Sequence, residues 1–189
     1  MNESNWYTWY GVLILSKWPC KFFERPYSHS KMGRSLLVCE TVINNQPVVV
    51  ATSHFESLDN PKVRASQMQE AFKVLSKYPN SFLMGDFNFD SSWTNEQAAI
   101  DPAYSDIYLD LNGGKEGFTM AATPYFPQCR LDKILAHKSS AWRPQSIKVV
   151  GNFSIPSFKA EDPAAIAGDG KVRTPSDHLG LYSTFNFTQ

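Results

Sequence analysis

Residues 35–54 read SLLVCETVINNQPVVVATSH, two runs rich in Val, Leu, Ile and Thr hinged on Asn44-Asn45. β-Branched side chains pack well on a pleated surface, and Asn tolerates the positive φ angles of a two-residue hairpin turn. Ser35 to Ile43 and Pro47 to Ser53 are therefore expected to form a hairpin whose second strand ends at Thr52-Ser53-His54. Asn60-Pro61 then starts a helix, because Asn can cap free amide groups and Pro fits the first helical position. Ala65, Met68, Phe72 and Leu75 recur at helical spacing, and Pro79 ends the run. Ser81 to Gly85 is a short apolar strand that leads straight into Asp86-Phe87-Asn88.

Working outward, Tyr10 to Ser16 reads as a buried strand, and Phe118 to Met120, Leu131 to His137, Ile147 to Ile155 and Leu179 to Phe187 supply the remaining strand candidates. Residues 91–114 read as a polar excursion with one short helix around Asn95 to Ile100, and Lys159 to Pro175 as an exposed loop rich in Ala, Gly, Asp and Pro. Strands outnumber helices, so the expected class is α+β with a largely antiparallel or mixed sheet.

Composition narrows the function classes. A chain of 189 residues suits one domain, and 42% apolar against 19% charged residues excludes a disordered tail. Eighteen basic and eighteen acidic residues balance, which excludes a generally polycationic nucleic-acid binder and leaves room for a local basic groove. Cys20, Cys39 and Cys129 are widely spaced, with no CxxC and no Cys/His cluster, so neither a disulfide framework nor a zinc site is expected. No apolar run approaches the roughly 20 residues of a bilayer span. No signal peptide is expected at the start, and a nuclear or cytoplasmic, non-secreted location follows.

Polar clusters recur where strands end: Ser53-His54-Phe55-Glu56-Ser57, Gly85-Asp86-Phe87-Asn88, Arg130-Leu131-Asp132-Lys133 and Ser176-Asp177-His178. Strand ends form the rim of a sheet, where side chains from separate strands converge on one cleft. Carboxylates, an amide, imidazoles and hydroxyls together suit a hard cation such as Mg²⁺, which takes one or two carboxylates and leaves other positions to water and phosphate. They suit phosphodiester hydrolysis for the same reason: phosphate charge is neutralised, a water is oriented and a phosphoryl oxygen is held.

In this order, Gly85-Asp86-Phe87-Asn88, Arg130-Leu131-Asp132 and Ser176-Asp177-His178 resemble the endonuclease/exonuclease/phosphatase superfamily. The resemblance implies two packed β-sheets flanked by helices, a four-layer αββα sandwich. Met32-Gly33-Arg34-Ser35-Leu36-Leu37 and Thr52-Ser53-His54-Phe55-Glu56-Ser57 are most similar to its 5′-tyrosyl-DNA phosphodiesterases, which free DNA 5′ ends from topoisomerase II adducts. The activity so implied is Mg²⁺-dependent hydrolysis, with Mn²⁺ as a substitute, at a DNA 5′ end carrying a tyrosyl adduct. Alternatives are another phosphoesterase of the superfamily (a DNase, a deadenylase, or a lipid or inositol phosphatase) and a truncated, non-catalytic phosphate- or nucleic-acid-binding module.

Carried over residue by residue, the resemblance makes Asp86 the group that orients the attacking water, Asn88 the holder of the phosphoryl oxygen, and His178 the stabiliser of the transition state, oriented by Asp132. His54 and Ser57 would contact the scissile phosphate and Arg34 the DNA backbone. Asp86 and Asp177 would lie at the metal or in its water shell. Phe118, Phe126 and Trp142 match the family's DNA-stacking aromatics loosely and are read as core residues. The family's N-terminal Asn motif and the Gln-Glu motif that supplies its principal metal ligand have no counterpart here, since Glu3, Glu24 and Glu40 stand in other contexts. Residues 1–189 are thus expected to be one catalytic-type domain that lacks the family's first strands and helix, completed by a missing segment or a second chain.

Overall fold

A computed structural model describes residues 11–115, 117–124, 126–153 and 175–188. The hairpin forms as its sequence dictates. Strands β2 (Ser35–Ile43) and β3 (Gln46–His54) pair antiparallel about Asn44 and Asn45, whose φ angles of 51° and 60° are both positive. Strand β1 (Cys20–Pro26) adds on the outer side of β2.

Helix α1 (Pro61–Leu75) carries the chain from β3 to β4 (Ser81–Asp86), which lies parallel to β3. Pro61 occupies the first turn, but the Asn60 side chain does not cap the helix amides. Its amide donates to the Ser57 carbonyl and its oxygen accepts from Lys31 Nζ, so it ties loops together instead. The polar excursion holds more order than its sequence suggests: α2 (Thr94–Gln97), β5 (Tyr104–Asp106) and α3 (Ile107–Leu111). Strand β6 (Asp132–His137) then inserts between β4 and β5, antiparallel to both, completing a mixed six-stranded sheet of order β1-β2-β3-β4-β6-β5. Strands β7 (Trp142–Val150) and β8 (Gly180–Phe187) make a second, two-stranded sheet.

Two clusters of buried side chains hold these layers. Met68, Ala71, Phe72 and Leu75 of α1 pack on Leu36, Val38, Val49, Ala51, Leu83 and Leu135, one face of the large sheet. Residues of opposite parity, Val48, Phe82, Ile134 and Ala136, meet Ile147, Leu181 and Phe185 of the small sheet on the other face. Two packed sheets with a helix on the outer face of the larger one agree with the expected sandwich.

Two local expectations fail. The apolar run expected as a buried strand at Tyr10 to Ser16 is irregular over residues 11–16, with Leu13 75% and Leu15 86% exposed. Apolar content alone cannot make a strand when no described segment pairs with it. Phe118 to Met120, likewise expected as a strand, makes only isolated bridges at Met120, to Cys129 and His178, whereas Phe23-Glu24-Arg25, outside every expected element, lies within β1, where Glu24 accepts a hydrogen bond from Ser35 Oγ at 2.6 Å. The expected loop at Lys159 to Pro175 falls almost wholly outside the described residues.

Candidate active site

Parity and register assemble the site. On β3, Val48, Val50, Thr52 and His54 alternate onto the face that meets the small sheet. On β4 the same face receives Phe82, Met84 and Asp86, and on β6 Asp132, Ile134 and Ala136. The parallel register sets His54 beside Asp86, and the antiparallel register sets Asp86 beside Asp132. Three polar groups therefore stand in a row at one rim of the sheet. His178, just before β8, completes the group from above: Met120 bridges to both Cys129 and His178, and the Leu179 N–H donates to the Thr119 carbonyl.

Distances within the row are those of hydrogen-bonded pairs. His54 Nε2 lies 3.1 Å from Asp86 Oδ2, and His178 Nδ1 lies 2.9 Å from Asp132 Oδ2. Asp86 Oδ1 accepts the Asn88 N–H at 2.8 Å. Burial pushes the Asp86 carboxyl up, but the His54 hydrogen bond and charge, the Asn88 N–H and the charge of His178 outweigh it and hold Asp86 below the ordinary carboxylate range. His178 moves the other way. The hydrogen bond to Asp132 raises it, burial opposes, and the charges of Asp132, Asp86 and Asp177 add to the rise, leaving the imidazole at about 9.

Alternation also explains how the loop after β4 is held. Phe55, Phe87 and Phe89 are fully buried, with Phe87 4.9 Å from Phe55 and 6.0 Å from Phe89, so the residues between them turn toward the cleft. Asn88 adopts φ 54°, a conformation Asn tolerates better than most side chains, and donates Nδ2–H to the Phe55 carbonyl. An amide has two such protons, and this bond engages one of them.

Arg34, which feels the charge of Asp86, and Ser57, which lines one cavity with Asn88, lie beside the cleft. Arg34 is buried, and its Nη2 donates to Met32 Sδ at 3.3 Å; burial lowers its pKa, while the charges of Glu56 and Asp86 oppose that. Ser57 Oγ donates to the same sulfur at 3.1 Å. Asp177 is exposed, accepts from Ser176 Oγ, and stands outside the cluster of Asp86, Asp132 and His178, whose ligand atoms lie within 4.8 Å of one another. Trp142 packs on Phe187, as a core residue should, whereas Phe118 and Phe126 are substantially exposed and do not belong to the core. Of the three glutamates, Glu24 and Glu40 are engaged by Ser35 and Tyr78 respectively, and Glu3 lies outside the described residues.

Sequence reasoning missed the residues that hold the cleft in shape. Glu56, fully buried, accepts from Ser30 Oγ, the Lys31 N–H and Gln67 Nε2 and so fixes the loop carrying Arg34. Buried Arg64 donates to the carbonyls of Glu56 and Leu58 and pairs with Glu96 at 2.6 Å. Thr119 Oγ1 accepts the N–H groups of Leu131 and Asp132, locking the start of β6. A polar pair at i and i+3, Arg64 and Gln67, on an otherwise apolar helix face was the one signal available. Beside Asn88 opens a cavity of about 800 Å³, lined in part by Leu58, Trp93, Phe118, Met120, Phe126 and Leu131.

A family model, the Endonuclease/Exonuclease/phosphatase family, matches residues 5–178. The chain belongs to that family. The chain is similar to tyrosyl-DNA phosphodiesterase 2 of Danio rerio, 24% identical over 92% of this chain and 48% of the relative, and to that of Xenopus laevis, 26% identical over 98% and 50%. The chain thus spans about half the length of the curated relatives it matches. Among solved structures, D. rerio TDP2 complexed with single strand DNA product superposes with a TM-score of 0.67 at 24% identity, over 88% of this chain and 68% of that one. A truncated Caenorhabditis elegans TDP2 gives 0.68 at 20% identity, over 92% and 68%. These likenesses establish the family fold.

Family membership implies a divalent cation, and the donor set fits one. Asp86 and Asp132 bring two carboxylates to one point, the number a Mg²⁺ ion takes while keeping its waters. Each carboxylate retains lone pairs beyond those its histidine and backbone partners occupy.

Proposed function

We propose that this chain is the phosphate-handling part of a metal-dependent phosphodiesterase that hydrolyses 5′-phosphotyrosyl bonds on DNA. The observation that supports this reading most directly is the row His54–Asp86–Asp132 capped by His178, two imidazole–carboxylate pairs at one rim of the sheet. Asp86 is ionised across the neutral range and stands ready to orient a water, with Asn88 N–H and His54 fixing its two oxygens. His178 is protonated across the same range, and because Nδ1 faces Asp132, its Nε2–H is the proton available to a phosphoryl oxygen. Asn88 adds an amide proton, and Arg34 and Ser57 offer donors to the phosphate from beside the cleft. A bound cation, held by Asp86 and Asp132, would supply Lewis-acid stabilisation of phosphoryl charge. Hydrolysis places the water oxygen on phosphorus, breaks the bond to the phenolic oxygen, and leaves a 5′-phosphate and free tyrosine.

The specificity for tyrosyl adducts is supported by the Met32–Leu37 and Thr52–Ser57 stretches and by the relatives named above. The test is cleavage of a single-stranded 5′-phosphotyrosyl oligonucleotide with Mg²⁺ and with EDTA, beside unmodified DNA, poly(A) RNA and an inositol phosphate. Mg²⁺-dependent release of tyrosine, reduced roughly 10³-fold or more by Asp86→Asn and by His178→Ala, is the expected result. Near-normal turnover in either variant overturns the assignment of the site, and turnover of another substrate alone overturns the tyrosyl specificity.

A further inference from the structure

We propose that Met32 is a reversible oxidation site through which a peroxide disables the phosphate-binding flank of the cleft. This inference rests on Arg34 and Ser57 acting as phosphate contacts. The Met32 sulfur lies between them, accepting from Arg34 Nη2 at 3.3 Å and from Ser57 Oγ at 3.1 Å. The backbone that carries it is fixed. Ser30 Oγ accepts the N–H groups of both Met32 and Arg34, and buried Glu56 accepts from Ser30 Oγ and the Lys31 N–H. Gly33 between them has φ 66°, the left-handed conformation that turns the loop.

Among the described methionines, Met32 is also the one most open to solvent. It is 40% exposed, whereas Met68 is fully buried and Met84 and Met120 are half-buried. The chemistry is a two-electron oxidation by hydrogen peroxide. The sulfur lone pair takes one peroxide oxygen, the O–O bond breaks, the thioether becomes a sulfoxide and water leaves. A thioether sulfur is a weak acceptor, which a phosphate oxygen displaces easily from Arg34 and Ser57. A sulfoxide oxygen is a strong one, and it places a polar group where the phosphate must come. The two donors would then be held by the protein itself.

The experiment treats the full chain with graded hydrogen peroxide, reduces the cysteines afterwards with dithiothreitol, and maps oxygen addition by peptide mass. Binding of a 3′-fluorescein, 5′-phosphorylated oligonucleotide is followed by anisotropy, and cleavage of the 5′-phosphotyrosyl oligonucleotide is followed in parallel. Met32 is expected to gain oxygen before Met68, Met84 and Met120. Its full conversion should weaken binding of the 5′-phosphorylated oligonucleotide about ten-fold or more, the loss of one charge-assisted hydrogen bond. Methionine sulfoxide reductases should restore binding, and Met32→Leu should keep its own untreated affinity through the same peroxide treatment. Full sulfoxidation at Met32 with unchanged binding overturns the proposal, as does equal loss in Met32→Leu. Because binding reads the proposal directly, a chain that never cleaves the tyrosyl substrate would refute the activity reading without touching this one.

Discussion

Asp132 Oδ2 stands 2.9 Å from His178 Nδ1, and the imidazole it holds titrates at about 9 rather than the ordinary 6.5. A group whose pKa rises on folding binds its proton more tightly in the native state. The pair therefore contributes its full stability below about pH 6.5 and loses it as pH rises through about 9. The ring resonances of His178, followed by NMR in EDTA, should move with a midpoint near 9. In Asp132→Asn the midpoint should fall toward the ordinary value, because the largest cause of the rise is gone. The same variant should show a urea midpoint that changes less between pH 6 and pH 9.5 than the parent's does. A His178 midpoint left near 9 in Asp132→Asn would mean that other charges, not this contact, set it.

At the scale of elements, the cleft depends on how closely β3 and β4 approach and on what α1 holds beneath them. Gly85 has φ 131°, and a Cβ built there would lie 2.1 Å from the Ser53 carbonyl oxygen. Gly85→Ala must push the two strands apart next to His54 and Asp86, at a cost of at least about 3 kcal/mol in chemical denaturation. Arg64 acts from below, joining the Glu56 and Leu58 carbonyls to Glu96. Arg64→Met leaves Glu96 buried without its partner and should destabilise by about 3–5 kcal/mol, while Glu96→Gln, whose amide oxygen still accepts, should cost clearly less. Denaturant midpoints for the two variants check that order. These same elements show what the sequence could reveal. The Asn44-Asn45 turn, Pro61 and the apolar run into Gly85-Asp86 are local signals, so β2, β3, β4 and the start of α1 were legible within a residue or two, while α1 ends at Leu75, ahead of the stop expected at Pro79. Strand β1 was not, since Lys21, Glu24 and Arg25 on an exposed edge strand show no clear alternation. The Asp132–His178 contact follows from the family resemblance. The His54–Asp86 contact depends on the register of two strands separated by α1, which no local pattern carries.

For the whole molecule, the site exists only because two sheets stay docked. Asp86 and Asp132 belong to the large sheet, whereas His178 arrives on the segment that leads into β8 of the small one. The contact that fixes His178 is thus an interface contact, maintained by Phe82, Ile134, Ile147, Leu181 and Phe185. Phe185 meets Phe82 edge-on at 4.8 Å and is half-buried, so Phe185→Ala should cost roughly 2 kcal/mol, less than a fully buried Phe. Phe72, buried between α1 and the opposite face, should cost about 3–5 kcal/mol when cut to Ala. If stability alone governed the site, Phe72→Ala would disturb His178 more. Because docking of the sheets governs it, the milder variant should carry the larger effect: the His178 midpoint should drop from about 9 in Phe185→Ala and stay there in Phe72→Ala. NMR titration of both proteins, beside their urea denaturation curves, separates the two. A midpoint unmoved in Phe185→Ala would place the anchor of His178 in the 118–120 segment, through the Thr119 carbonyl and the Met120 bridge, rather than in the packing of the sheets.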